Sequence, residues 1–281
     1  MSPQVVAAII AASVSALTLI GTLAAQYVGR RDTRKALEEQ SKQLDRTLAE
    51  QRTRTLNERF ATAADKLAAD RPATVRLAGV YAMAGLADDW KENRQTCVDV
   101  LCGYLRMPYD PDPGEAEDRL PFLAGREVRH TVIRVITAHL REGAAVSWQG
   151  LNFDFTGVVF DGGDFRRAVF SGGVVDFHRA VFSGGLVGFH GAVFSGGTVG
   201  FTDARFYSGS VSFGSAKFSG GAIDFSSAGF LGGTVDFGRT GFSGGTVDFS
   251  KPMDWSCPPI FPWTDTSPPG VELPKKDDQS G

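Results

Sequence analysis

The segment AVFSGGVVDFHRAVFSGGLVGFHGAVFSGGTVGF, residues 168–201, states one phrase three times, and its phenylalanines set the beat. Phe170, Phe177, Phe182, Phe189, Phe194 and Phe201 are separated by alternating steps of 7 and 5, and the beat continues from Phe206 to Phe249. Two positions earlier stands a smaller apolar residue: Ala180, Ala192 and Ala204 in the short step, Val175, Val187 and Val199 in the long one. In an extended chain positions i−2 and i point to one side, with the residue between them on the other. Each segment therefore has one apolar flank.

A flank this short cannot be buried by its own segment, so the repeats must stack and share a core, which predicts a β-solenoid. Gly172-Gly173, Gly184-Gly185, Gly196-Gly197, Gly220-Gly221, Gly232-Gly233 and Gly244-Gly245 follow the short-step phenylalanines, where the chain has to bend.

The opening of the array sets the coil length. Phe155, Phe160, Phe165 and Phe170 are spaced by 5 without the inserted pair. Val158-Val159-Phe160-Asp161-Gly162 and Ala168-Val169-Phe170-Ser171-Gly172 resemble the five-residue unit of the pentapeptide-repeat family. The resemblance implies a right-handed, four-sided parallel β-helix. Sides of 5, 7, 5 and 7 give a 24-residue coil, which would stack Phe170, Phe194, Phe218 and Phe242 in one ladder. A flat coil of 12 residues would hold two phenylalanines in an interior with little room for them. The sequence departs from the family pattern in using Phe where Leu is commoner, and in placing Asp before the phenylalanine only at Asp154, Asp164, Asp176, Asp224, Asp236 and Asp248.

Outside the array the 281-residue chain divides by composition. Residues 1–29 are expected to be a transmembrane anchor, because no charged side chain occurs from Pro3 to Gly29 and about 20 apolar residues cross a bilayer. Arg30, Arg31, Arg34 and Lys35 follow directly and would hold the downstream bulk on the cytoplasmic side of the cell membrane. A cleaved signal peptide, the alternative, would carry positive side chains before the apolar run; it would make the protein a secreted or surface structural protein. Residues 30–71 have the composition of one long helix, with Leu37, Leu44 and Leu48 at coiled-coil spacing and a homo-oligomeric stalk as the expected role.

Residues 72–145 read as a small all-α module, with helices over 75–86, 93–105 and 126–140 around an acid- and proline-rich loop, 108–117. Leu77, Tyr81 and Ala84 are expected inward on the first, Cys97, Val98, Leu101, Tyr104 and Leu105 on the second, and Val128, Val132, Val135 and Ile136 on the third. The run Arg76 to Tyr109 resembles a helical segment of bacterial membrane-anchored pentapeptide-repeat proteins. Residues 146–250 are the β-helix. Residues 251–281 are expected to be a proline-rich cap, with Trp255 to Trp263 closing the last coil, and then a disordered tail.

The chemistry is sparse. Net charge is −3, and Cys97, Cys102 and Cys257 are too scattered for a disulfide framework, so Cys97 and Cys102 read as buried free thiols. No metal-binding, phosphate-loop or nucleophile-elbow motif occurs. His130 and His139 on the third helix read as surface or hydrogen-bonded core residues, and His178 and His190 lie half a coil apart. No catalytic residue, cofactor or metal ligand is therefore assigned. Some pentapeptide-repeat proteins resemble the DNA duplex and occupy the DNA site of type II topoisomerases. Here Leu151 to Phe249 carry 8 Asp against 6 basic residues, only 6 − 8 = −2, so DNA mimicry is the alternative and a nucleic-acid partner is not expected. The sequence predicts a non-catalytic, membrane-anchored scaffold with a protein partner.

Overall fold

The computed structural model describes residues 2–109, 119–264 and 266–275. Residues 110–118, which take in most of the expected loop 108–117, the end of the expected tail, and the side chains of Arg30 and Arg31 lie outside these. Helix α1 spans Pro3–Lys66. The chain resolves into two units, residues 1–57 and 58–281.

The first unit is helical from Pro3 onward. Leu17, Leu19, Ile20 and Leu23 stand exposed, interleaved with Ser15, Thr18, Gly21 and Thr22, and the Thr18 and Thr22 hydroxyls donate back to the carbonyls of Ser15 and Leu19. Among the described residues no helix is long and apolar enough to cross a membrane, so the expected transmembrane helix is unsupported. Leu37, Leu44 and Leu48 are exposed as well.

Among the described residues of the second unit three further α-helices precede the strands: α2 (Ala73–Asp89), α3 (Arg94–Arg106) and α4 (Arg119–Leu140). Their buried apolar residues follow the helical period, with one correction. On α2 the inward face is Val80, Met83, Ala84 and Ala87, while Tyr81 is 59% exposed. The alanine-rich sequence left the phase of that helix open, and bulk misplaced it. Helix α4 also begins before the expected Arg126. Pro121 is tolerated in its first turn, where an amide has no intrahelical acceptor, and Leu120 and Leu123 are exposed, so apolar periodicity does not mark the start. Cys97 and Cys102 are free and buried, as expected, and burial pushes their thiols up to about 11 and about 12.

The strands form a parallel solenoid with a 24-residue register: Phe170 pairs with Phe194, Phe194 with Phe218, and Phe218 with Phe242. The four expected sides appear as two six-stranded sheets. The long strands 169–176, 181–188 and 193–200 shift register at their glycine pairs, and strand 205–212 has Ser208-Gly209 at that place. The close approach of successive coils excludes a side chain there. Gly197 has φ +71, and a Cβ on it would lie 2.2 Å from the carbonyl oxygen of Gly173.

Between the sheets the chain reverses in tight turns that the sequence did not announce. Ala180 N–H donates to Phe177 O at 2.9 Å, and Arg179 in the turn has φ +54. Arg167, Asp203, Ser215, Ser227 and Arg239 occupy the same left-handed conformation at the equivalent corners. Asp at the position before the phenylalanine closes these turns: Asp176, Asp224, Asp236 and Asp248 each accept the amide two residues on, at 2.7–2.8 Å.

The core is four columns of rings. Phe165, Phe189, Phe213 and Phe237 stack with centroids 4.6–5.0 Å apart, and Phe261 continues the column at 5.6 Å. The column of Phe177, Phe201, Phe225 and Phe249 meets this one edge to face. These rings are buried through Phe249, so each contributes roughly 1.5–3 kcal/mol by leaving water. At the far end Trp255 sets its edge against Phe230, and Trp263 against Phe242. The chain does not fall into a disordered tail straight after Trp263. Val271–Glu272 adds a last strand beside Val247–Asp248, because Gly270 (φ +84) turns the chain back onto the coil.

Candidate functional site

The polar chemistry collects where α4 covers the first coil. Tyr109 donates its hydroxyl to Asp161 Oδ2 at 2.6 Å, Arg126 Nε donates to the same oxygen at 2.7 Å, and His130 Nε2 lies 2.9 Å from Oδ1. Asp161 is 8% exposed. Burial opposes its ionisation, but the hydrogen bonds from His130 and Tyr109 and the nearby charges of His130 and Arg126 outweigh that, and the carboxyl is held down at about 2. An ionised carboxylate only accepts, so His130 carries its proton on Nε2 in this contact.

Beneath this cluster Arg129, 6% exposed, donates to Leu105 O on α3 and to Val159 O in the first coil, with its guanidinium 4.1 Å from the centre of the Tyr109 ring. Thr137 Oγ1 donates to Asp164 O, and Arg106 at the end of α3 pairs with Asp154. Gln95 and Asn152 exchange two hydrogen bonds at 2.8 and 2.9 Å. The open backbone of the first coil is thereby satisfied by helix side chains, which removes an exposed sheet edge.

A second cluster surrounds Asp88. Its Oδ1 accepts Trp148 Nε1–H at 2.9 Å, and its Oδ2 lies 3.2 Å from His139 Nε2. The His139 ring stacks on Trp148 at 4.0 Å and donates Nδ1–H to Val135 O. His130 and His139 are thus both tied to carboxylates in the joint between helices and strands. His178 donates Nδ1–H to Thr202 O at one corner of the coil, and His190 stands at the opposite corner.

Two adjoining cavities open at the edge of the joint. One, of about 310 Å³, has a lining that includes Arg126, His130, Arg134, Asp164, Arg166 and Leu186. The other, of about 320 Å³, is lined by Arg141, Arg166, Arg167 and His190. Among the described residues no cluster of three or more His, Cys, Asp or Glu could hold a metal ion.

Sequence reasoning counted Asp161 only as a charge. A signal was present: after the short-step phenylalanines the chain reads Ser171, Ser183, Ser195, Ser219 and Ser243, with Tyr207 and Leu231 as uncharged exceptions, and Asp161 is the one charged residue in that series, where the helices dock. The carboxylates that line up as Asp154, Asp176, Asp224, Asp248 and Glu272 are separated by Gly200, and all the aspartates among them accept amides of their own turns. No curated protein and no solved structure matches this chain. The family model for pentapeptide repeats, in 9 copies, does match residues 155–205, so the first coils of the solenoid are built of pentapeptide repeats.

Proposed function

We propose that the protein is a non-catalytic scaffold whose solenoid presents a rigid surface to a protein partner. The observation that carries this reading is the continuous set of phenylalanine columns. They occupy the interior of the described coils, leaving the polar side chains to corners and outer faces. The histidines of α4 serve the joint, which supports the same reading. Arg179, Arg205 and Arg239 are exposed on the outer surface and are the candidates for partner contact. Crosslinked pull-down of the tagged full-length chain from its native cell, compared with Arg179→Glu, Arg205→Glu and Arg239→Glu, tests it: a specific partner lost on charge reversal is the expected result. Abolished function in a folded His178→Ala variant, with the partner still bound, would instead indicate an enzyme.

Membrane attachment through residues 1–29 is part of the proposal. It rests on the charge-free sequence from Pro3 to Gly29 and on the exposure of Leu17, Ile20 and Leu23, at 69%, 64% and 57%. Sedimentation with membranes, and a C-terminus protected from protease added outside the cell, are expected. A mature N-terminus near Gln26 would establish a cleaved signal. Self-association through Leu37, Leu44 and Leu48 completes the proposal, and light scattering of the full-length chain against a Leu44→Glu variant decides it. DNA mimicry has less support, because Gly200 interrupts the acidic row.

A further inference from the structure

We propose that the cleft lined by Arg141, Arg166, Arg167 and His190 is a binding site for a phosphate monoester. The cavity holds about 320 Å³, the size of a small-molecule site, and all four lining residues are basic types. It adjoins a second cavity of about 310 Å³ through the shared Arg166.

The arginines there differ in how they are held. Arg166 donates Nε and Nη2 to the two oxygens of Asp164 at 2.9 Å each, and Arg141 Nη2 lies 4.0 Å from the same carboxylate. Arg141 Nε also donates to Arg166 O at 3.3 Å. One carboxylate thus orients two guanidinium groups without neutralising both. Arg167 has no side-chain hydrogen bond or ion pair among the described residues. It also sits at φ +60, a conformation that disfavours any side chain, at a corner where the next coil uses Gly191 at φ +65. That φ is common to these corners, so what sets Arg167 apart is its unpaired guanidinium, which the cleft places beside two others and which an anion would complete.

Charge selects the ligand. Three arginines against Asp164 leave 3 − 1 = 2 positive charges, which matches the roughly −1.5 to −2 of a phosphate monoester at neutral pH and exceeds a single carboxylate. Guanidinium forks also fit phosphate oxygens two at a time.

Calorimetric titration of the full-length protein with O-phosphoserine, serine and a phosphoserine peptide, at ~0.15 M salt, tests this. Saturable binding of O-phosphoserine but not serine is expected, weakened at least tenfold by Arg167→Ala. Lys217→Ala, exposed on an outer face and outside the cleft lining, should leave affinity unchanged, and circular dichroism should show both variants folded. Equal affinity for O-phosphoserine and the peptide would identify a small phosphorylated solute as the ligand. At least tenfold tighter binding of the peptide would identify a phosphorylated protein. No saturation by either up to about 10 mM, or equal losses in the two variants, would overturn the assignment.

Discussion

Truncating Phe213 to Ala probes the columns at their centre. The ring is fully buried, with Phe189 at 4.8 Å on one face and Phe237 at 4.6 Å on the other, and it meets the edges of Phe201 and Phe225 at 6.1 Å each. Removing a buried phenyl ring costs about 3–5 kcal/mol through lost transfer energy and the cavity left behind. Neighbouring coils are themselves held by the same columns and have little freedom to collapse into the gap, so a value near ~5 kcal/mol is expected at this site. Phe170 stacks on a single ring, Phe194, at 5.0 Å. One fewer stacked pair, worth about 0.5–1.5 kcal/mol, puts Phe170→Ala roughly 1 kcal/mol lower. Urea unfolding of the full-length protein, followed by circular dichroism and by the fluorescence of Trp148 at one end of the solenoid and Trp255 and Trp263 at the other, measures both variants. A cost below about 1 kcal/mol for Phe213→Ala, or equal costs at the two positions, would refute the stacked-column account of stability.

The joint should be acid-sensitive in a defined direction. Asp161 is depressed to about 2, so its stabilisation is fully present above the ordinary carboxylate range near pH 4 and is lost as pH falls towards 2; the loss is about 2 kcal/mol, and Asp161→Asn should abolish this part of the pH dependence. Cysteines placed at Thr198 and Ala222, which face each other across coils, should crosslink readily, while Leu186 and Thr198, half a coil apart, should not; the reverse outcome in a gel-shift assay would contradict the 24-residue register. Gly197→Ala should destabilise by at least ~2 kcal/mol in the same urea assay, because its methyl group would meet the Gly173 carbonyl, whereas Ser215→Gly at φ +58 should be neutral or stabilising by up to about 1 kcal/mol.

The solenoid was legible because its signal is repeated: a single Phe at a chosen spacing says little, but the same spacing from Phe165 to Phe249 leaves one arrangement that buries every ring. The buried thiols and the aromatic closure at Trp255 and Trp263 followed from the same reasoning about what an open apolar surface requires. The corners at Arg167, Arg179 and Arg239 escaped it, since non-glycine residues in the left-handed region have no compositional signature. The joint was equally opaque. Its members, Asp88, Tyr109, Asp161, His130 and His139, are scattered through the chain and occur once each, so no periodicity brings them together before the helices and the first coil are packed. Tyr81 shows the same limit on a smaller scale, where side-chain size was a poor guide to which face of α2 is buried.

The 24-residue register makes the solenoid a ruler with interchangeable divisions. Inserting one further coil of that length between Phe213 and Phe237 would add about 4.8 Å between the helical end and the tryptophan end while returning every corner, column and charge to its own face. An insertion of half that length would preserve the apolar rhythm equally well, yet it would exchange the two sheets for everything downstream: Arg239 would move to the corner now held by Arg179 and Asp203. Length can therefore drift by duplication of whole coils without loss of surface pattern, and half-coil changes would rewrite the surface while leaving the core intact.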